Sequence, residues 1–437
     1  MSDYMFMLDN HLSSEQSRMV EEIQAVTQNA NVNLFLTGGA LRDMLGGFPL
    51  HEIDFTVEAQ PAKLARTLEA KAGAKILEAD DHRKIVWLEF PGGVRTSLAM
   101  ARTEKYTKPG AKPQVQAATI HEDLRGRDFT VNAIALSLSR ASRGLLIDPT
   151  NGVGDLERKE LRAVSNYTLY DDPSRILRMF RLQVRLGFTI EERTRMQYQN
   201  VREAQLETRI PPALLREELQ RIAHEPDPGQ VLQVLQQENL LGLFSPALAG
   251  GNVNLSSFEK LHRVRQLIVF GVPFSLDPTS LFFYLLTEKF SPKERAALVK
   301  DLEIPKAVVT GWQGLEARAK VLEKELKSAK LNKPSRVWAV ASKAPGDLLL
   351  FLLLKSNERL VQDRIKHYLQ KYLPAAHEIT DRDVLAAGAE PGTTKGERVR
   401  EQLILTHLDA RPKKVEPAPP AEAVAVPQPS PAVPARR

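Results

Sequence analysis

The sequence predicts an α+β fold. An N-terminal head domain contains both strands and helices, and the rest of the chain is all helical. Short apolar or alternating segments, bounded by Gly, Pro or charged residues, crowd residues 1–160, and this pattern is typical of β-strands. After about residue 170 the strand pattern fades and helical periodicity takes its place. We therefore expect a small, largely antiparallel or mixed sheet with helices, followed by several short helical segments.

The local signals can be taken in chain order. The segments that predict strands are "VNLFLTG", "EIDFTVE", "AKILEA", "KIVWLEF" and "VRTSLAMA". Among them "PAKLARTLEAKAG" predicts a helix that ends at Gly73. In "DPSRILRMFRLQVRLGF" we expect Asp172 as N-cap, Pro173 at the first helical position and Gly187 at the end. The apolar run at 348–354 is too short to span a bilayer and predicts a buried helix.

The composition of the chain excludes some kinds of site and indicates a location. The 437 residues include no cysteine, which excludes disulfides, thiolate metal sites and cysteine nucleophiles. The acidic N-terminal stretch lacks the pattern of a signal peptide, and we expect a cytoplasmic location. A net charge of +6 fits a polyanionic partner only weakly.

The stretch "LTGGALRDMLGGFPLHEIDFTV" combines a glycine turn with two acids. Gly38 and Gly39 would let backbone N–H groups approach a phosphate at a helix start, and Arg42 would add a charged donor. Glu52 and Asp54 would project from one strand face, because residues two apart in a strand point the same way. Such neighbours repel unless a cation lies between them, and Mg²⁺ prefers oxygen ligands. An ordinary turn and a solvated strand face are the alternatives.

Two further segments carry basic and acidic side chains. "EDLRGRDFTVNAIAL" holds Arg127, Asp128 and Asn132, where the arginine suits a phosphate and the aspartate a ribose hydroxyl. A surface ion pair is the plainer interpretation of these residues.

The second segment is "DPSRILRMFRLQVRLGF". At about 100° per residue, it places four arginines on one side of a helix, with Arg175 at the edge of the arc. They are Arg175, Arg178, Arg181 and Arg185. The stripe is either a solvated face or a ligand surface. Asp172 and Arg175 form an acceptor–donor set that suits a base edge.

These segments, in this order, resemble the class II tRNA nucleotidyltransferase and bacterial poly(A) polymerase family. The resemblance rests on "GGALRD" with "EID", "GRDFTVNA", "DDPSRILR", "DPTNGVGDLERKELRAV" and "IPPALLREELQRI", over about residues 31–225. It implies a polymerase-β-like nucleotidyltransferase head followed by helical neck, body and tail domains. We place the head at 1–160, the neck with its nucleotide-templating helix at 161–225, an RNA-binding body and tail at 226–410, and a disordered Pro/Ala-rich tail at 411–437.

The resemblance also implies roles for individual residues. The residues expected to contact the nucleotide are Gly38, Gly39, Arg42, Arg127, Asp128, Asp172, Arg175, Arg178 and Arg181. Asp172 and Arg175 would select C or A, and Glu52 and Asp54 would be catalytic and hold Mg²⁺. The implied partners are the 3′ end of tRNA, CTP and ATP, with no membrane and no protein partner inferred. No phosphohydrolase of the HD type is expected, since its motif is absent from the sequence.

The sequence departs from the family pattern at three points. Glu52 stands where an aspartate is usual, and its longer side chain must fold back to reach the same ion. Ser97 stands where a third carboxylate is expected, five residues before Arg102. "DDPSR" replaces the usual E-D-x-x-R but keeps Asp172 and Arg175. The expected activity is addition of C and/or A to tRNA. A poly(A) polymerase and a catalytically weakened homologue that binds tRNA or nucleotide remain as alternatives.

Overall fold

The structure is a computed structural model that describes residues 3–48, 50 and 53–410. Glu52 and the predicted disordered tail at 411–437 lie outside the described residues.

The strands of the described chain lie in the first half of the sequence. They are β1 (Leu34–Thr37), β2 (Ile53–Val57), β3 (Lys75–Asp80), β4 (Ile85–Phe90), β5 (Val94–Met100), β6 (Arg102–Lys105), β7 (Gln114–Ala117), β8 (Ala135–Ser137), β9 (Leu146–Ile147), β10 (Glu160–Leu161) and β11 (Thr189–Ile190).

The main sheet has the strand order β3-β4-β5-β2-β1-β8-β9. Strands β2 and β5 run parallel and the other neighbours run antiparallel, which confirms the predicted mixed sheet. The register places Thr37 opposite Asp54 and Asp54 opposite Ser97. One row of polar side chains therefore crosses the three central strands. Two small sheets, β6–β7 and β10–β11, lie apart from the main one.

Alternation along β2 explains which face of the sheet is apolar. Ile53, Phe55 and Val57 are all at most 2% exposed, whereas Asp54 between them is only half-buried. Burying each such side chain stabilises the fold by about 1.5–3 kcal/mol. The predicted helix before Gly73 is present and packs on β3, β4 and β5. Gly73 closes it in a left-handed conformation, as expected.

Helices account for most of the remaining described chain. In the head they are α1 (Asp3–His11), α2 (Ser14–Asn29), α3 (Gly39–Gly46), α4 (Pro61–Ala72), α5 (Ile120–Arg125) and α6 (Gly152–Arg158). Beyond it they are α7 (Thr168–Asp171), α8 (Arg175–Leu186), α9 (Glu192–Glu203), α10 (Pro212–His224), α11 (Pro228–Gln237), α12 (Leu255–Arg265), α13 (Thr279–Leu286), α14 (Pro292–Asp301), α15 (Lys306–Gln313), α16 (Leu315–Leu326), α17 (Pro334–Ala341), α18 (Gly346–Lys355), α19 (Arg359–His367), α20 (Leu373–His377), α21 (Asp381–Ala386) and α22 (Thr394–Asp409).

The apolar run at 348–354 lies in α18, whose side chains from Gly346 to Leu353 are buried, as predicted. No single described helix is long and apolar enough to cross a membrane.

The predicted start of the basic helix α8 is wrong. The helix begins at Arg175 with Ser174 as N-cap, and Asp172 and Pro173 precede it. The carboxylate of Asp172 accepts bonds from the backbone N–H and the hydroxyl of Ser174, at 3.1 Å and 2.6 Å. The bond to the Ser174 N–H is of the kind a capping aspartate makes, but Pro173 and Ser174 form a turn and the α-helix begins only after it. Gly187 ends the helix in a left-handed conformation, as predicted.

The described chain divides into two compact units. The first holds Met1–Gln266, Phe274–Leu322 and Pro345–Asn357. The second holds Leu267–Pro273, Glu323–Ala344 and the chain from Glu358 onwards. All of the described candidate site residues lie in the first unit. The finer division into head, neck, and body with tail stays a prediction.

Candidate nucleotide site

The site begins where β1 passes into α3. Gly38 lies between them with φ 73° and ψ −138°, a conformation that is essentially restricted to glycine. A Cβ built on Gly38 would lie 3.7 Å from Nη1 of Arg127, so this arginine approaches the turn. A Cβ on Gly39 would lie 3.4 Å from Nη2 of Arg42. Two of the predicted phosphate-binding arginines therefore flank the glycine turn.

A chain of hydrogen bonds joins this turn to the basic helix. Nη1 of Arg42 donates to Oδ1 of Asn132 at 2.8 Å, and Nδ2 of Asn132 donates to Oδ1 of Asp128 at 3.0 Å. Nη1 of Arg178 donates to Oδ2 of Asp128 at 2.6 Å. These three hydrogen bonds thus connect residues from three of the sequence segments through direct side-chain contacts.

Arg127 is fixed by several acceptors. Its Nε and Nη2 donate to Oδ2 of Asp123 at 2.9 Å and 2.8 Å, and Nη2 also donates to the Thr56 hydroxyl at 3.1 Å. Its Nη1 donates to the carbonyl oxygen of Asn132 at 3.2 Å. Because Thr56 is two residues from Asp54 on β2, Arg127 lies along the same strand face as that carboxylate.

Asp128 is a buried, ionised acid. It is 5% exposed, and burial alone would raise its pKa. The positive charges of Arg178 and Arg175 outweigh burial and hold the pKa of Asp128 well below its usual range. The carboxylate therefore keeps its charge and orients Arg178 and Asn132.

The predicted base-reading pair lies beside strand β6. Nε of Arg175 is 3.5 Å from Oδ2 of Asp172, and its Nη2 is 3.9 Å from Oε2 of Glu104. Glu104 also accepts bonds from Nε of Arg102 at 2.9 Å and from the Tyr106 hydroxyl at 3.0 Å. The guanidinium of Arg175 is thus held between two carboxylates, and its Nη1 donates to the Arg127 carbonyl oxygen at 3.3 Å.

Arg181 has two carboxylate partners within this chain. Nε donates to Glu218 at 2.6 Å and Nη1 donates to Glu225 at 2.7 Å. Arg185, one turn further along α8, donates to Oδ2 of Asp43 at 3.1 Å. The basic stripe is therefore not a solvated face, because its arginines pair with acids from α3, α10 and the segment after α10.

The charge of one site arginine is nevertheless felt by a neighbouring arginine. The pKa of Arg221 on α10 is lowered to about 10, chiefly by the charge of Arg178 and then by burial. Glu218, 3.6 Å away, opposes this shift only in part. A local positive potential of this kind favours a polyanion such as a triphosphate.

Asp54 lies at the other side of the glycine turn. The Ser97 hydroxyl donates to Oδ1 of Asp54 at 2.6 Å. In the register of β1 and β2, Asp54 lies opposite Thr37, the residue before Gly38. Its expected companion Glu52 is outside the described residues. Within the residues that the structure describes, no group of three or more His, Cys, Asp or Glu side chains gathers around one point.

Most of the predicted site residues are therefore connected in the described structure. The glycine turn, Arg42, Arg127, Asp128 and Arg178 form one network, and Arg175 joins it through the Arg127 carbonyl. Sequence reasoning missed the acids that position these arginines: Asp43, Glu104, Asp123, Glu218 and Glu225. For Asp123 the i,i+4 spacing to Arg127 was a usable signal. The others are adjacent only in space or carry no distinctive pattern.

Comparisons with known proteins show which sequences and folds this chain resembles. Residues 34–162 match the poly A polymerase head domain. The fold of the whole chain is shared with a CCA-adding enzyme in its apo form II, at a TM-score of 0.56 and 24% identity, over 94% of this chain and 96% of that chain. The head is thus similar to that of poly A polymerases, and the fold is that of a CCA-adding enzyme.

Three similar proteins are tRNA nucleotidyltransferases. An A-adding tRNA nucleotidyltransferase of Halalkalibacterium halodurans is 26% identical over 89% of this chain and 88% of its own length. That of Aquifex aeolicus is 27% identical over 84% of this chain, but the match spans only 44% of the relative's length. A CC-adding tRNA nucleotidyltransferase of Deinococcus radiodurans is 34% identical over 47% of this chain and 54% of its own. The chain is thus a relative of the tRNA nucleotidyltransferases and poly(A) polymerases, and the resemblance seen in its motifs is confirmed.

Proposed function

We propose that this protein is a template-independent RNA nucleotidyltransferase that adds C and/or A to the 3′ end of tRNA, using CTP and ATP and releasing pyrophosphate. The observation that carries the proposal is the linkage of Arg42 and Arg178 through Asn132 and Asp128. It brings a glycine turn, an ordered set of arginines and the templating helix into one site. The three relatives named above add A or CC to tRNA, and none of them is a poly(A) polymerase.

The triphosphate would lie along the glycine turn. Gly38 is the N-cap of α3 and Gly39 is its first residue, and a helix favours negative charge at this end. Arg42 and Arg178 already donate to oxygen acceptors in this chain, and phosphate oxygens are acceptors of the same kind. Preset donors of this type stabilise the charge that develops during transfer without reorganising.

The base would be read by Asp172 and Arg175. One carboxylate and one guanidinium offer acceptors and donors side by side, which matches the edge of C or A. Ser174 and Glu104 limit the freedom of the pair, because each holds one of the two groups. Asp128, near Arg178, would stand by the ribose.

A divalent cation is general for nucleotidyltransferases of this family, and we take it to be Mg²⁺. The donor chemistry of Asp54 fits this ion, because a carboxylate offers about four lone-pair sites and Mg²⁺ prefers oxygen ligands. Mg²⁺ is commonly held by one or two carboxylates together with substrate phosphates and water. Asp54 and Glu52 would hold it, and when bound it supplies charge neutralisation and a more acidic attacking hydroxyl.

The reaction forms a bond between the 3′-oxygen of the RNA and the α-phosphorus, and breaks the bond from that phosphorus to pyrophosphate. This chain's residues supply binding and orientation and no covalent nucleophile, which agrees with the absence of cysteine. The arginines hold the leaving pyrophosphate's charge. A cytoplasmic location, where thiol-free chains are unexceptional, is part of the proposal.

The test is incorporation of labelled nucleotide. The purified chain is incubated with Mg²⁺ and a tRNA transcript that lacks its terminal CCA, with CTP, ATP or both. Two C and one A would indicate full CCA addition, and only C or only A would indicate a partial enzyme. Asp54→Asn is the inactive control. Long A tracts would indicate the polymerase instead, and ATP binding without incorporation would identify a catalytically weakened homologue. Either result would overturn the proposal.

A further inference from the structure

Two tyrosine side chains stand in solvent on the short helix α7. Tyr167, its N-cap, is 67% exposed and Tyr170 is 48% exposed. The backbone N–H of Asp171 donates to the Tyr167 carbonyl at 2.8 Å, so the turn is closed. Residues three apart in a helical turn lie on the same side, and the two rings therefore share one surface. Large exposed aromatic rings that lie together commonly mark a contact site.

This tyrosine pair lies directly before the base-reading pair in the chain. Asp171 and Asp172 follow Tyr170, and the carbonyl oxygen of Asp171 accepts a 3.1 Å bond from the N–H of Gly110. Gly110 lies in the loop that connects β6 to β7. The short helix that carries the tyrosine pair is thus tied to this loop at Asp171 and leads directly into the base-reading pair.

The loop that bonds to Asp171 carries positive charge. Lys108 and Lys112 are exposed and lie on either side of Gly110 in the chain. A Cβ built on Gly110 would lie 3.4 Å from Cβ of Arg209, which is also exposed. We call these three cations the basic rim. The acid on α7 is Asp171, whose carbonyl oxygen is the acceptor of the Gly110 bond.

We infer that the tyrosine pair and the basic rim bind the unpaired 3′ end of the RNA. Sequence-tolerant recognition of single strands combines aromatic rings, on which bases stack, with cations that follow the backbone. Both elements are present here, and the Gly110–Asp171 bond joins the loop of the basic rim to the helix of the tyrosine pair, which directly precedes Asp172. The inference rests on the proposed function for the identity of the RNA as tRNA. The incoming nucleotide is not the occupant, because Asp172 and Arg175 already provide for its base.

The experiment uses the full chain and a tRNA transcript that lacks CCA and carries 2-aminopurine as its last base. Stacking on a tyrosine quenches this fluorophore. We expect quenching with the wild type, loss of quenching with Tyr167→Ala and Tyr170→Ala, and retention with Tyr167→Phe and Tyr170→Phe, because phenylalanine keeps the ring. The KM for tRNA should rise about tenfold in each Ala variant, while the KM for CTP and ATP stays unchanged.

Matched variants show whether the effect belongs to the two rings and the basic rim. Leu145→Ala removes another exposed apolar side chain, 57% exposed on the loop between β8 and β9, and should change nothing. Lys108→Ala combined with Lys112→Ala should weaken the dependence of tRNA affinity on salt. Quenching in the Ala variants equal to the wild type would overturn the inference, as would a rise in the KM for nucleotide alone. If the wild type binds and quenches the RNA but adds no nucleotide, only the proposed function fails.

Discussion

The hydroxyl of Ser97 donates a 2.6 Å hydrogen bond to Oδ1 of Asp54, across the parallel strands β5 and β2. The two residues are direct register partners, so their side chains leave the sheet on the same face. The third carboxylate that the family resemblance implies would stand at position 97. A neutral donor therefore occupies a place where an acid would share a cation with Asp54.

Replacing Ser97 with aspartate should create a tighter cation site. Two facing carboxylates repel each other until a cation lies between them. We expect Ser97→Asp to lower the Tm without divalent ion, and added Mg²⁺ to restore it more than in the wild type. The kcat should rise about tenfold, equivalent to about 1.4 kcal/mol. Ser97→Ala is the matched control and should show neither effect. A Tm of Ser97→Asp that ignores Mg²⁺ would contradict the assignment of this position.

Gly38→Ala should strain the phosphate-binding turn. With φ 73° and ψ −138° the position suits glycine alone, and an alanine there should destabilise the fold by about 1–3 kcal/mol. Urea denaturation measures the change in the free energy of unfolding. Gly39→Ala is the control, because Gly39 opens α3 without a positive φ and its added Cβ would meet only the end of Arg42. Equal losses for the two variants would refute the backbone argument.

The Asp128→Asn variant should reveal the charge of the buried acid. The pKa of Asp128 in the folded protein lies below its unfolded value of about 3.9. Its contribution to stability is therefore present above that value and is lost as the pH falls towards the folded pKa. Between about pH 5 and pH 2 the stability of the wild type should fall more steeply than that of the variant. Parallel pH profiles from thermal melts would show that Arg178 does not sense this charge.

Arg181→Ala should lower the free energy of unfolding strongly and the affinity for ATP only slightly. The substitution leaves Glu218 and Glu225 as buried acids without their shared partner, at a cost of about 3–5 kcal/mol. Arg185→Ala, on a more exposed side chain, should cost about 1 kcal/mol. Chemical denaturation and ATP titration of the folded variants separate the two roles. An ATP affinity that collapses while stability holds would support direct contact with nucleotide, as the family resemblance implies.

Arg175→Ala should relax the choice of nucleotide. A bidentate contact to a base edge discriminates by about 1–3 kcal/mol, so preference for CTP or ATP over UTP and GTP should drop about 5- to 150-fold. The measurement is kcat/KM for each of the four nucleotides. Glu104→Gln keeps the shape of the neighbour that holds Arg175 and should reduce discrimination by less. Unchanged discrimination in Arg175→Ala would place base reading elsewhere.

Local sequence patterns were sufficient to predict the fold class and the glycine turn. These features are encoded within a few residues: a positive φ demands glycine at Gly38, period-two alternation buries one face of β2, and helical spacing puts Arg178, Arg181 and Arg185 on one side. Each signal depends on local backbone geometry. For this reason the helix that ends at Gly73 and the buried run in α18 could be predicted.

The contacts of those side chains, in contrast, are defined by the folded chain. Arg181 meets Glu218 and Glu225, which lie 37 and 44 residues away, and no local pattern predicts such a pairing. Helix α8 starts at Arg175, after a turn at Pro173 and Ser174 in which the carboxylate of Asp172 bonds to Ser174. Exposure of Tyr167 and Tyr170 likewise depends on which surfaces pack together. Long-range contacts are fixed by the free energy of the whole fold, whereas helix, strand and turn signals act between near neighbours in the chain.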